Sequence, residues 1–214
     1  MRVIEILSSR REYTKLNPFI VLLGKGDHQI TSSWTNQYGY VRQTTLELTR
    51  SNITFVGTGK DTTTVLGGFC VQEQENIMFK QMTVTNTSSN GHGIHMINAK
   101  VELFDVALKG CRGKALFIDS GSVVVATRCA FSKCGGYGVD ARSGTIAHFE
   151  GKGGIGLYGQ DSATILHLHG EATAVHLNTQ YGICAYTSAK VIIHLPSHHN
   201  TSYNNRLEDR YTFR

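Results

Sequence analysis

The sequence predicts an all-β protein, a parallel β-helix (β-solenoid) of about seven coils with terminal caps. An aliphatic residue returns at Ile53, Ile77, Val101, Val123, Ile146, Ile165 and Val191, at intervals of 24, 24, 22, 23, 19 and 26 residues. A short polar turn introduces each return, as Ser51-Asn52 does before Ile53 and Ser143-Gly144-Thr145 before Ile146. A second series, Ile94, Leu116, Val139, Leu157 and Ile183, repeats at 22, 23, 18 and 26, and four of its members follow a glycine: Gly93, Gly138, Gly156 and Gly182. A fixed period with a fixed turn marks a stacked repeat. No unit holds apolar residues at helical spacing, so each coil is built of short strands joined by tight turns.

The elements follow in order. Residues 1–18 precede the first coil and are expected to cap its open core, because a solenoid must hide its terminal edge. Residues 24–30 read as a turn and an entering strand, and residues 31–44 as a polar excursion that holds Trp34, the only tryptophan. That excursion is a candidate ligand lip, or a tryptophan packed on the first coil. Coils occupy residues 19–195, and the polar stretch 196–214 reads as a C-terminal cap or tail. The whole chain, 1–214, reads as one domain, with 23 glycines against 2 prolines and no composition shift to mark a boundary.

Composition limits the function classes. The first residues break into charge within five positions, so no secretory leader is expected, and no apolar run reaches the length of a membrane span. Five cysteines (70, 111, 129, 134 and 184) form no CxxC pair or zinc-finger spacing. They read as reduced core or turn residues, which points to an intracellular or virion-associated protein. The net charge of +5 comes from scattered Lys and Arg with no basic stripe, so neither a nucleic acid nor a membrane is expected as partner. No cofactor or metal motif is present.

Alternation of side chains along a strand turns the repeat into faces. The anchor and the residue two beyond it should point into the core. His148 and His167 fall in that column, so a stacked core histidine pair is expected, with no obvious third metal ligand. The opposite face of the first strand, with Val124, Phe149, Leu166, Leu168 and Ile192, is apolar and reads as a homo-oligomer interface. The outer side of the second strand carries His95, Phe117, Asp140, Tyr158 and Cys184, then Asp119, Arg142, Gln160 and Tyr186 two residues on. That ladder of aromatic and polar groups suits an extended glycan. Asp105, Arg128 and Glu150 stand at the end of the first strand and are weak catalytic candidates. Asp105 and Glu150 would lie two coils apart, about 9–10 Å, near the upper range for an inverting acid and base.

Three segments, Phe19–Ile30, Gly57–Gly68 and Val191–Ser202, carry a resemblance. The coils resemble right-handed parallel β-helix proteins of the pectin-lyase-like superfamily, and more narrowly the uncharacterised β-helix proteins of unicellular algae and giant viruses. The superfamily includes polysaccharide lyases, hydrolases, phage tailspikes and binding modules, so the fold does not choose a function. None of the candidate residues completes a catalytic motif of those families. The expected role is therefore a non-catalytic structural or recognition protein that binds a polysaccharide and self-associates. The alternative is a carbohydrate-active enzyme, a polysaccharide lyase or glycoside hydrolase, acting on an acidic polysaccharide.

Overall fold

The computed structural model describes residues 11–150, 153–154, 157–160, 164–169, 173–176, 183–186, 190–193, 201–203, 206 and 210–212. Among these residues every regular element is a β-strand, and none forms a helix long and apolar enough to cross a membrane.

The chain winds as a parallel solenoid. The first coil holds β1 (Phe19–Leu22), β2 (Gly26–Gln29), a hairpin of β3 (Trp34–Thr35) and β4 (Val41–Arg42), and β5 (Thr45–Leu48). The second is β6 (Ile53–Val56), β7 (Thr63–Leu66) and β8 (Gly68–Gln72). In the third and fourth, β9 (Ile77–Thr85) and β11 (Lys100–Lys109) run through two faces before β10 (Ile94–Ile97) and β12 (Leu116–Asp119). The fifth is β13 (Val123–Thr127), β14 (Ala130–Ser132) and β15 (Val139–Ala141). These turns lie almost wholly among the described residues, which show about five turns where about seven coils were expected from the repeat. Beyond them come β16 (Ile146–Glu150), β17 (Gly153–Gly154), β18 (Leu157–Gln160), β19 (Ile165–His169), β20 (Thr173–His176), β21 (Ile183–Tyr186), β22 (Lys190–Ile193), β23 (Thr201–Tyr203) and β24 (Arg210–Thr212). Two sheets carry the stack: a first in the order β1-β6-β9-β11-β13-β16-β19-β22, and a second in the order β5-β8-β10-β12-β15-β18-β21-β24. All their pairings are parallel. β23 and β24 pair with β20 and β21 inside the stretch expected to be an irregular tail.

The corners explain the recurring polar turns. Gln81, Asp105 and Arg128 bend the chain with φ of 54°, 56° and 57°, and Glu73, Asn98, Ser120 and Ser143 do the same at a second corner. A left-handed residue turns the chain sharply, and polar side chains adopt that region at lower cost than branched ones. Asn52 and Asn76, also left-handed, are stacked by a hydrogen bond from Asn76 Nδ2 to Asn52 Oδ1 at 2.9 Å. Gly93 and Gly68, which precede Ile94 and Phe69 in the second sheet, have a packing reason. A Cβ on Gly93 would stand 2.6 Å from the carbonyl oxygen of Ala115 in the next coil, and one on Gly68 would strike the His92 carbonyl.

The core is a continuous column of Ile53, Phe55, Phe69, Ile77, Phe79, Ile94, Met96, Leu103, Leu116 and Ile118, all essentially sealed from solvent. Phe79 stacks on Phe55 at 5.2 Å and 9° and lies 4.7 Å from Phe69.

The expected faces hold as far as β11, fail at β13 and β16, and return at β22, where Ile192 is exposed as expected. In β11, Val101 and Leu103 point inward with Ile77 and Phe79. At β13 the register partner of Val101 is Val124, not Val123. The link from Asp119 to Val124 is one residue longer than the equivalent link from Ile97 to Val101. Gly121, with φ 71°, takes up the extra residue, and Ser122 pins the turn by accepting from Ala99 N and donating to Asp119 O. One residue inverts the inside and outside of a strand. Val124, Ala126 and Ala147 are therefore the core residues, while Val125 is 43% exposed and Ile146 38%. His148 pairs with Val125 and His167 with His148, so the two histidines lie on the outer face and not in the core. Their rings do stack, at 4.7 Å and 8°.

Phe79→Ala removes the ring that packs the third coil on Phe55 and Phe69 of the second and is expected to lower the unfolding free energy by about 3–5 kcal/mol. A urea titration followed by near-UV circular dichroism measures the loss, and an unchanged midpoint would show that the column does not hold the coils.

Candidate functional site

The strands of the second sheet align Glu47, Cys70, His95, Phe117, Asp140, Tyr158, Cys184 and Tyr211 in one column. The ladder expected from the sequence is thus in register. It is not an open, solvated surface, because Cys70 and Asp140 are fully buried and His95 is 5% exposed.

The cover comes from the β3–β4 hairpin. Asn36 Oδ1 accepts from the backbone N–H groups of Tyr38 and Tyr40, which closes the turn. At its neck, Thr45 N donates to Ser32 O at 2.9 Å and Ser32 Oγ to Thr45 O at 3.0 Å. Trp34 packs edge-on against His95 at 5.5 Å, and the Arg42 guanidinium lies 5.3 Å from the Trp34 ring centroid. Arg42 Nη1 also donates to His95 Nδ1 at 3.0 Å. A guanidinium only donates, so Nδ1 accepts and the ring proton sits on Nε2. That Nε2–H is buried and has no hydrogen-bond partner. Burial, then the charges of Arg42 and Lys114, holds the His95 pKa well below its ordinary 6.5.

Below His95 the column is an ionic and aromatic cluster. The Phe117 ring stacks on His95 at 4.6 Å and 5°, and the Lys114 ammonium stands 3.7 Å from its centroid. Asp140 accepts from Arg142 Nε and Nη2, both at 2.9 Å, and is ion-paired to Lys114 Nζ. His92 accepts the Lys114 backbone N–H at Nδ1 (3.0 Å) and packs edge-on against Phe117 at 5.4 Å. Burial, then the neighbouring positive charges, depresses the His92 pKa to about 2. Two neutral imidazoles among three cations are the direct result.

Between the hairpin and the sheet lies a cleft of about 370 Å³, lined by Trp34, Tyr38, Arg42, Gln72, His95, Phe117 and Asp119 among others. Of the expected ligand-binding residues, His95, Phe117 and Asp119 meet in this cleft, while Asp140 and Arg142 support its floor. Tyr158, Gln160 and Tyr186 continue the columns by backbone register, and their side chains lie outside the described residues. Tyr38 is 76% exposed at the rim. Arg42, Lys114 and His92 were not singled out in the sequence. They sit in connections, where no column of the repeat marks them.

The catalytic candidates lie elsewhere. Asp105 stands at a corner of the first sheet, 3.1 Å from Lys60 Nζ and 3.4 Å from Arg128 Nη2, and Arg128 lies over Phe104 at 5.0 Å. Burial raises the Asp105 pKa, but the hydrogen bonds and charges of Lys60 and Arg128 outweigh it and keep the carboxyl below its ordinary value. It is a structural ion pair poorly suited to donate a proton. Glu150 pairs with Thr127 in the backbone ladder, and its side chain lies outside the described residues. Among the described residues no three His, Cys, Asp or Glu converge on a metal position. Cys70, Cys111, Cys129 and Cys134 are buried thiols in no disulfide, and burial pushes Cys70 up to about 12.

The apolar face also changes. Val124 is in the core and cannot meet a partner, whereas Ile192 is 39% exposed on the outer face with Phe104, Val125 and Ile146. The side chains of Phe149, Leu166 and Leu168 lie outside the described residues. Compared with protein-family models, with curated proteins and with solved structures, the chain matches none.

Two outcomes follow for this site. The folded protein keeps His92 and His95 neutral, while the unfolded chain titrates them near 6.5. Their stabilisation is therefore complete above 6.5 and is lost as pH falls below it, at roughly 1.4 kcal/mol per pH unit for each histidine. Urea midpoints between pH 7 and 5 should fall accordingly, and His92→Gln should reduce the slope. Asp140→Ala leaves Lys114 and Arg142 without their carboxylate and should cost about 3–5 kcal/mol. A thermal shift of less than 2 °C in that variant would show that the buried ion pairs contribute little.

Proposed function

We propose that the protein is a non-catalytic recognition module that binds an extended glycan in the cleft between the β3–β4 hairpin and the second sheet. The observation that carries this reading is the cleft itself. It combines the exposed Tyr38, the half-buried Arg42 and the buried Nε2–H of His95 with the amide of Gln72 and the carboxylate of Asp119. A small-molecule site of this kind pairs apolar faces with a few fixed polar groups. The resemblance of the coils to the pectin-lyase-like superfamily, and to the β-helix proteins of unicellular algae and giant viruses, supports the grouping we propose. Self-association through Phe104, Val125, Ile146 and Ile192 is part of the same reading, since four exposed apolar side chains share one sheet face.

Among the described residues the candidates for the enzymatic alternative are engaged in ion pairs. Asp105 and Arg128 are paired to each other at a corner, and the buried Asp140 is held by Lys114 and Arg142.

A glycan-array screen of the purified chain, with a reducing-sugar assay over polyuronates, tests the reading. Binding without turnover is expected, and Tyr38→Ala or Arg42→Ala should weaken it about tenfold, which is 1.4 kcal/mol. Turnover of any polyuronate, or binding untouched by both substitutions, would overturn it.

A further inference from the structure

Two cysteines from different coils, Cys111 and Cys134, meet at one corner of the solenoid. β14 pairs in parallel with the end of β11, Lys109 opposite Ser132. The ladder runs on into the turn, where Gly110 N donates to Ser132 O at 3.1 Å and Gly135 N to Cys111 O at 2.9 Å. The second bond sets Cys134 opposite Cys111 in the next coil, with Cα atoms about 4.8 Å apart. Bridged cysteines span about 4.4–6.8 Å between Cα atoms, so the pair stands within bridging reach.

The two sulfurs share one buried pocket. Both residues are 1% exposed. Each is nevertheless flanked by exposed neighbours, Gly110 and Arg112 in one coil and Lys133 and Gly135 in the next, so the thiols lie just beneath the surface. A Cβ on Gly93 would stand 3.2 Å from Cys111 Sγ, which places that sulfur against the third coil as well. Cys111 donates a hydrogen bond to the Cys134 sulfur, and the backbone N–H groups of Cys111 and Gly110 point at the same atom. In its protonated form Cys134 donates to Ser132 O at 3.4 Å. The bond between the thiols, with burial, holds the Cys111 pKa well above its ordinary value, whereas the same bond outweighs burial at Cys134 and lowers it. Burial pushes Cys70 and Cys129 up to about 12 and keeps them protonated. Thiolate character, which decides nucleophilicity, is thus concentrated on Cys134, beside a thiol ready to resolve it.

We propose that Cys111 and Cys134 are a peroxide-sensitive thiol pair that closes to a disulfide between the fourth and fifth coils and reopens on reduction. The Cys134 sulfur attacks one oxygen of hydrogen peroxide, the O–O bond breaks, and the departing hydroxide leaves a sulfenic acid. The Cys111 sulfur then attacks Cys134 Sγ and expels hydroxide, and the two hydroxides take up the two thiol protons. The pair loses two electrons, and the peroxide is reduced to two waters. Cys111 lies shortly before Lys114 in the chain and Cys134 shortly before Asp140, so the bond ties together the two turns that deliver this buried ion pair.

Peptide mapping of the folded chain tests the pair. Dilute hydrogen peroxide is followed by alkylation and trypsin without reductant. The expected product is peptide 110–112 joined to peptide 134–142, absent before oxidation and removed by dithiothreitol, with a higher urea midpoint for the oxidised chain. Cys70 and Cys129 should be recovered alkylated. In a folded Cys111→Ala variant, dimedone should label Cys134 as the trapped sulfenic acid. The proposal is overturned if the folded parent gives no such linked peptide, if Cys111 or Cys134 joins another cysteine in equal yield, if the pair closes no faster than in the urea-unfolded chain, or if the folded Cys111→Ala variant takes up no dimedone at Cys134.

Discussion

Everything in this protein depends on the inter-coil hydrogen-bond ladder. Parallel strands in lateral contact leave no freedom in register: once Val101 sits on Ile77, every residue of β11 has its neighbours assigned. Side chains therefore come in columns, and a column is a unit of energetics. The aromatic stack of Phe55 and Phe79 is one such unit, and Asn52 with Asn76 is another. Each coil supplies a surface that only the next coil can complete. Hydrophobic burial and hydrogen-bonded corners act together here, because the left-handed residues that turn the chain also keep each strand at the height its ladder needs.

The same constraint makes connections as consequential as strands. One additional residue between Asp119 and Val124 exchanges the inner and outer faces of β13; β16 and β19 inherit the new phase, and β22 reverses it by pairing Lys190 with Ile165. In the sequence this step is nearly silent. Val123, Val124 and Val125 are all valine, so either face can be read as the core side, and the interval of 22 from Val101 to Val123 looks like its neighbours. The anchor series and the lack of helices among the described residues were legible because the pattern recurs, and at Gly93 the recurrence has a steric reason. Phase was not, because it is set by the count of residues in a polar turn, and counts vary without changing composition.

The site was legible in a similar, partial way. His95, Phe117 and Asp140 were readable as a column, since strand alternation and a common anchor suffice. Their burial was not. It comes from Trp34 and Arg42 in an excursion about fifty residues earlier, and from Lys114, whose ammonium reaches both Phe117 and Asp140. A ladder that looks amphipathic in sequence becomes an interior once a lid of unrelated sequence closes over it. Desolvation then does what composition alone does not foretell, keeping His92 and His95 uncharged beside three cations.

The hairpin that forms this lid has a wider meaning. Its two ends are tied by the Ser32–Thr45 backbone and side-chain hydrogen bonds, so the chain leaves and re-enters the first coil at one point. Between those ends β3 and β4 pair with each other and with neither coil sheet, while Thr44 at the neck still accepts from Gly68 N in the next coil. The segment is a cassette: its length and composition can drift, be exchanged or be lost while the coils beneath keep their register. Such an arrangement uncouples inheritance of the scaffold from inheritance of the cover over His95 and Phe117.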